Sequence, residues 1–442
     1  MRALRILILA PDCNPDSIST PQIAYAHAEA LARLHKVTLV VRAVNEQSIR
    51  RAGGSFYDIE GIRLPGLDEL YRWALRRIFK YDYGRQSLTA ASYPLQIAFE
   101  WRAWRHLRGR ILSGDFDVVL RILPIVTVLP SAFAFFLRNG PIPFVIGPLN
   151  GGLPWPEGFP QMNKQRHEAG YWVSNLRGFY WYLPFARSTY ANATAIIAGS
   201  SHTFAELSAY RDKLFFVPGE NGIDPALFNG GIRSGTSCEG TLRLLFVGRL
   251  IPLKACDLAL RAAAELLRTS AAHFTVVGDG PERESLQQLV KSLGIENAVT
   301  FTGWLATSAT LAKFKQSDVL VFPSLREFGG TVVFEALGLG AVPVVADFGG
   351  PGDIVTPQIG YKIALTNEGD LIFNLERILK HLAGNRGHLE KLRQQGMAYA
   401  REHLTWDGKA QAVSTVLYWA TGRGPKPTLQ PPKRNPNNCN DL

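Results

Sequence analysis

Cysteine is scarce in this chain: four in 442 residues, Cys13, Cys238, Cys256 and Cys439, with no C-x-x-C spacing among them. That spread argues against a zinc site or a disulfide framework and reads as isolated thiols in a reducing compartment. Long apolar runs are missing too. The first, Ile6 to Ala10, breaks at Pro11-Asp12 and is too short for a secretory h-region. No stretch reaches the roughly 18 uncharged apolar residues of a membrane span. A buried first strand, a cytoplasmic protein and at most peripheral contact with the inner membrane face are therefore expected. No G-x-G-x-x-G follows that strand, which disfavours a nicotinamide-dependent oxidoreductase. Acids are sparse in one segment, where positions 71–110 hold nine Lys/Arg and nine aromatics against Asp82 and Glu100.

What is present is ordinary globular material, 46% hydrophobic and 19% charged, with a formal charge of +11. The length suits two or three domains. Strand and helix patterns alternate in two successive runs, the signature of parallel α/β layers. The first run places strands at Arg5–Ala10, Lys36–Val41, Asp117–Ile122, Pro143–Ile146, Ala193–Ala198 and Leu214–Val217. Thr20 as cap and Pro21 in the first helical position predict a helix start. The second run places strands at Leu242–Val247, His273–Val277, Val299–Thr302, Asp318–Phe322 and Val342–Ala346. Between the runs, Asn229 to Gly240 is rich in Gly, Ser and Thr and reads as a linker. Domains are thus expected over 1–228 and 241–402, with a helix over 403–420 packing back on the first and a disordered tail over 421–442.

Chemistry concentrates after the strands of the second run. FPSLREFGGTVVFEAL, Phe322 to Leu337, brackets the turn Gly329-Gly330 with Glu327 and Glu335, and a helix opens near Thr331. Backbone N–H groups at such a turn suit phosphate oxygens, and carboxylates accept hydrogen bonds from sugar hydroxyls. FVGRLIPLK puts Gly248, Arg249 and Lys254 just past a strand, where cations can clamp a diphosphate. VVGDGPE adds Gly278, Asp279 and Gly280, and ADFGGPGDIV adds Gly349, Gly350 and Gly352. A glycosidase pair is excluded for Glu327 and Glu335, because hydrolytic carboxylates flank a bond from opposite sides. Asp115 and Asp117 form a D-x-D, but at the N-terminal end of a strand, away from a ligand crevice.

Together these segments resemble the C-terminal domain of the retaining glycosyltransferase family 4, with the GT-B fold of two facing Rossmann-like domains around a deep cleft. The match is specific over 214–355: FVGRL followed by Lys254, VVGDGPE, VTFTGW, Glu327 and Glu335, the later Gly-Gly turn, and NGID from Asn221 to Asp224. The resemblance implies metal-independent transfer from a UDP- or GDP-linked sugar, with no resident cofactor, to a glycan or lipid-linked acceptor in cell-surface or exopolysaccharide synthesis. It assigns Arg249 and Lys254 to the donor diphosphate, Glu327 to sugar hydroxyls and Glu335 to the ribose. Gly329, Gly330 and Thr331, beside Phe328, would meet the phosphates, with Gly248, Gly278 and Gly280 nearby. Gly303, Trp304 and Leu305 would lie beside the base.

The first run carries a weaker match. GPLNGGLPWP, with Gly147, Asn150, Gly151 and Gly152, resembles a Gly-rich segment on the acceptor or phosphate side, or is a turn-rich connection. Arg121 ends a strand where family members place a histidine near the donor. The loop Pro11 to Thr20 holds no glycine where members usually do, and Lys254-Ala255 replaces the usual Lys-Gly. A silent nucleotide-sugar- or glycan-binding module is the competing expectation. For 71–110, a helix from about Leu70 would set Ala74, Ile78 and Phe79 apart from Arg72, Arg76, Arg77 and Lys80. Such a segment suits a membrane surface, or is a solvated basic face. No recognition motif accompanies it, so nucleic acid is not expected.

Overall fold

The computed structural model describes residues 2–17, 19–70, 73, 92–159, 182–228 and 240–432. They divide into two compact units, one of 2–152, 182–220 and 409–431, the other of 153–159, 221–228 and 240–408. Of the expected helix from about Leu70 only Leu70 and Trp73 lie within the described residues, and of the linker expected at 229–240 only Gly240.

In the first unit the strands are β1 (Arg5–Leu9), β2 (Lys36–Arg42), β3 (Asp58–Ile62), β4 (Val118–Arg121), β5 (Phe144–Leu149), β6 (Ala195–Ala198) and β7 (Leu214–Phe216). They form a parallel sheet in the order β3-β2-β1-β4-β5-β6-β7. RILIL, VVLR and AIIA are near-continuous apolar runs because helices cover both sheet faces. Those helices include α1 (Thr20–Leu34), α2 (Ala43–Ala52), α3 (Tyr93–Leu112), α4 (Ala132–Phe136), α5 (Ala186–Asn192) and α6 (Ser201–Glu206). The cap of α1 is Ser19, one residue before the expected Thr20, with Pro21 in the first turn.

In the second unit β8 (Leu242–Val247), β9 (Ala272–Val277), β10 (Val299–Gly303), β11 (Val319–Phe322), β12 (Val342–Ala346) and β13 (Tyr361–Ile363) form a parallel sheet ordered β10-β9-β8-β11-β12-β13. Its helices are α7 (Cys256–Arg268), α8 (Arg283–Ser292), α9 (Thr307–Gln316), α10 (Thr331–Leu339), α11 (Gly349–Ile354), α12 (Glu368–Gly384) and α13 (Arg386–Tyr399). Each unit has its own apolar core. In both sheets the direction of winding reverses once, between β1 and β4 and between β8 and β11. Loops leaving the C-terminal ends of two such strands diverge and leave a crevice for a ligand.

Two stretches cross the expected domain boundary. Residues 153–159 and 221–228 belong to the second unit. Arg326 Nε donates to Leu153 O at 3.0 Å, Phe159 joins that unit's core, and Ile223 N–H donates to Leu404 O at 2.8 Å. The final helix α14 (Trp406–Ala420) packs in the first unit from Lys409 onward, where Phe215 and Trp419 meet edge-to-face and Tyr418 Oη donates to Arg2 O at 3.2 Å. The tail expected to be disordered is held in place as far as it is described. Phe216 N–H, on edge strand β7, donates to Leu429 O at 2.8 Å, and Arg423 pairs with Asp117 at 2.8 Å. Pairing the open edge with a proline-bearing segment satisfies donors that the sheet would otherwise leave exposed.

Candidate functional site

The site is built where β8 and β11 lie side by side. After β8 the chain passes Gly248-Arg249, makes a short 3₁₀ turn over Pro252–Lys254 and enters α7 through Ala255. Ala255 has φ 52°, the left-handed conformation that glycine adopts without strain, which explains a Lys-Gly preference at this corner. The loop after β11 is fastened to it, since Leu325 N–H donates to Leu253 O at 3.0 Å and Ser324 Oγ to the same carbonyl at 3.4 Å.

That fastening brings together two residues 73 positions apart. Lys254 Nζ donates to Glu327 Oε2 in an ion pair whose side chains are 18% and 19% exposed. The ammonium also lies 5.1 Å from the Phe322 ring centroid. Glu327 Oε1 accepts from Gly330 N–H at 3.4 Å, so the carboxylate bridges the cation and the turn that starts α10. Gly330 is the N-cap of α10 with φ 62°, and among the described residues no side chain caps the N–H groups of the first turn. Thr331 there is exposed, and Gly329 is buried. Phe328 is half-buried, with the Arg326 guanidinium 5.6 Å from its ring. A β-carbon on Gly350 would sit 2.1 Å from Phe328 O, and Gly350 N–H donates to Glu327 O at 3.1 Å. The second Gly-Gly turn is thus the floor on which the first one rests.

Glu335 lies in the second turn of α10, half-buried. It meets no ion pair or hydrogen bond among the described residues. Burial alone lifts its carboxyl from the ordinary 4.5 to about 7. Arg249 is exposed and holds no ion pair with the described residues. The site therefore offers one paired carboxylate, one unpaired carboxyl, one spare cation and an uncapped helix start.

The glycines at the ends of β8, β9 and β10 serve the backbone. Gly248 N–H donates to Val277 O at 3.0 Å and Gly278 N–H to Gly303 O at 3.0 Å. Gly278 has φ 131°, and a β-carbon there would meet Gly248 O at 1.9 Å; on Gly280 it would meet Leu250 O at 2.4 Å. These two residues let the strand-end loops close on one another. Gly278→Ala is expected to cost about 2 kcal/mol in chemical denaturation, through strain and displaced backbone. Beyond them Trp304 is 69% exposed and Leu305 half-buried, an open edge beside the loop.

In the first unit, Arg121 ends β4 with its guanidinium turned inward. It is fully buried, 3.4 Å from Glu100, and donates to Leu123 O at 3.2 Å and Leu129 O at 2.9 Å. Glu100 in turn accepts from Ser131 Oγ at 2.9 Å and Ala132 N–H at 2.6 Å. A buried guanidinium needs a charged partner, and here that demand makes Arg121 a clamp on the loop after β4. Asp117 pairs with Arg5 at 2.8 Å, at the opposite end of β4 from that loop. Gly147, Gly151 and Gly152 all have positive φ. Asn150 is buried: its N–H donates to Ile125 O at 2.7 Å, its amide donates to Glu220, and its Oδ1 accepts from Gly151 N–H at 3.0 Å.

Two residues of this network were not legible in the sequence. Glu220 is buried beside Lys409, which donates to Pro218 O and, at 2.9 Å, to Gly219 O. Burial pulls the Lys409 ammonium down to about 7, with Glu220 opposing that shift. The available signals were a lone acid just before Asn221 and a lysine inside the apolar stripe of α14.

The geometry meets its relatives at this point. Two parallel Rossmann-like sheets are the fold of GT-B glycosyltransferases. One solved structure with it is Anabaena HepE in complex with UDP, with a TM-score of 0.59, 15% identity and coverage of 94% of this chain and 100% of that one. A family model described as glycosyl transferases group 1 matches residues 233–401. The D-inositol 3-phosphate glycosyltransferase of Nocardia farcinica is 30% identical over 250 residues, 52% of this chain and 54% of that protein. An uncharacterized glycosyltransferase of Methanocaldococcus jannaschii is 28% identical over 174 residues, 39% of this chain and 44% of that one. The chain thus spans about half the length of the curated relatives it matches.

Proposed function

We propose that this chain transfers a glycosyl group, with retention of configuration, from a UDP- or GDP-linked sugar to a glycan or lipid-linked saccharide. The observation that carries this reading is the Lys254–Glu327 pair at the uncapped start of α10. It supplies a cation for a diphosphate, a carboxylate for sugar hydroxyls and N–H groups for phosphate oxygens, all within one crevice. The group 1 family match over this unit and the UDP in the Anabaena structure support it.

In this reading the acceptor hydroxyl attacks the anomeric carbon from the face the leaving group departs. The bond from that carbon to the β-phosphate oxygen breaks, and the acceptor's proton passes to a phosphate oxygen. No enzyme nucleophile and no resident metal are required. Lys254, Arg249 and the first-turn N–H groups of α10 offset the charge that grows on the diphosphate. Positioning does the rest.

Incubation with a panel of UDP- and GDP-sugars tests this. The expected result is slow donor hydrolysis with one or a few sugars, unchanged by EDTA, and transfer with retained anomeric configuration once an acceptor is supplied. Tight binding without any turnover would instead identify a silent nucleotide-sugar-binding module. No binding at all would remove both readings.

A further inference from the structure

Helix α3 carries a surface whose residues take no part in the Lys254–Glu327 site described above. Its apolar stripe, Leu95, Phe99, Ala103, Leu107 and Ile111, is buried in the first unit's core. On the opposite side Trp101, Arg105, Arg108 and Leu112 recur at helical spacing, all exposed, with Trp101 at 46%. The Arg105 guanidinium lies 4.7 Å from the Trp101 ring. One flank continues into a cavity of about 460 Å³ lined by Arg63, Arg102, Arg105 and His106.

The other flank continues onto neighbouring helices. Trp104 stacks on Phe136 of α4 at 5.2 Å, and Phe136 lies 6.4 Å from Phe185 at the start of α5. Around them Phe135 is exposed beneath the Arg138 guanidinium at 3.7 Å, and Tyr182 is exposed beside Arg187 in a second cavity. The face therefore runs across three helices as arginines interleaved with accessible rings.

Acids are few on it among the described residues. Glu100, the one acid within α3, is buried against Arg121. None occurs from position 118 to 156 or from 182 to 205. At the edge, Arg110 holds Glu60 at 2.7 Å, Asp115 at 3.5 Å and Asp58 at 3.6 Å, and His106 meets Glu60 at 3.1 Å.

We propose that this α3–α4–α5 face is a docking surface for an anionic lipid bilayer. Arginines at headgroup level meet lipid phosphates, while Trp101, Phe135, Tyr182 and Leu112 enter the interface. A soluble polyanion would use the charge but leave the interleaved rings and Leu112 in water, so the pattern favours a surface with an apolar interior. The proposal does not depend on the transfer reaction, because docking is read on the protein without donor or acceptor.

Co-sedimentation with vesicles of phosphatidylcholine, with and without about a third phosphatidylglycerol, tests it. The expected result is binding to the anionic vesicles at low salt, roughly tenfold weaker on neutral ones and reduced at about 0.5 M salt. The triple change R102E, R105E and R108E should abolish it, while UDP calorimetry and the circular dichroism spectrum stay as in the parent chain. Paired removal of rings, Trp101→Ser with Phe135→Ser, should weaken it with the charge intact. Failure to bind anionic vesicles, undiminished binding by the triple variant, or binding to heparin with no vesicle binding would each overturn the proposal. Loss of UDP binding alone would count against the donor site and leave this surface untouched.

Discussion

Lys254→Ala is expected to lower kcat/KM by roughly two to three orders of magnitude, the range seen when one preorganised charge-stabilising donor is removed. The loss has two sources. The variant would forfeit the ammonium proposed to meet the diphosphate, and it would leave the Glu327 carboxylate facing the same anion without the partner it holds here. Stability should barely change, because both side chains are partly exposed and such a pair contributes about 0–1 kcal/mol. The two sources can be separated. If Glu327 repulsion supplies part of the loss, adding Glu327→Gln to Lys254→Ala should recover roughly tenfold of UDP affinity without restoring transfer. Calorimetry with UDP and a transfer assay on the four proteins check this. Wild-type turnover in Lys254→Ala would remove the diphosphate clamp from the mechanism.

The pair also marks where the sequence stops being readable. Strand-end glycines and charges singled out loops that the structure gathers at one edge, because a parallel α/β sheet delivers every such loop to the same edge. That Lys254 and Glu327 touch follows only from β8 lying next to β11, and strand order is a property of the whole sheet. The missed strands have local reasons. Asp58–Ile62 reads DIEGI, too polar for a buried run, because β3 is an edge strand. Tyr361–Ile363 is three residues long and also at an edge. The burial of Arg121 was not legible because it depends on Glu100, a residue on another element whose inward aim the helical pattern alone did not reveal. The same long-range demand hid Glu220 and Lys409, whose buried polar atoms are satisfied by partners far along the chain.

Donor affinity is expected to rise with pH by about two orders of magnitude and then level off near neutrality, and Glu335→Gln is expected to flatten that rise. The direction follows from the carboxyl's surroundings. In the free protein burial raises it to about 7, with no polar partner among the described residues, so the ionised form is disfavoured until near neutral pH. Two ribose hydroxyls donating to it would stabilise the carboxylate and return its pKa toward 4.5. Binding therefore expels a proton wherever the free group is protonated, and affinity climbs about tenfold per pH unit between 4.5 and 7. Stability of the free protein runs the opposite way. The folded-state value lies above the unfolded one, so this group's contribution is intact below about pH 4.5 and is lost as pH rises through 7. Glu335→Gln should accordingly be the more stable protein at pH 8 and the weaker binder. UDP carries a phosphate titrating near pH 6, but that change is common to both proteins and cancels between them. Calorimetry in buffers of different ionisation enthalpy would count the released proton directly. A rise of equal size in Glu335→Gln, or equal proton release near pH 6 by the two proteins, would move the ribose away from Glu335.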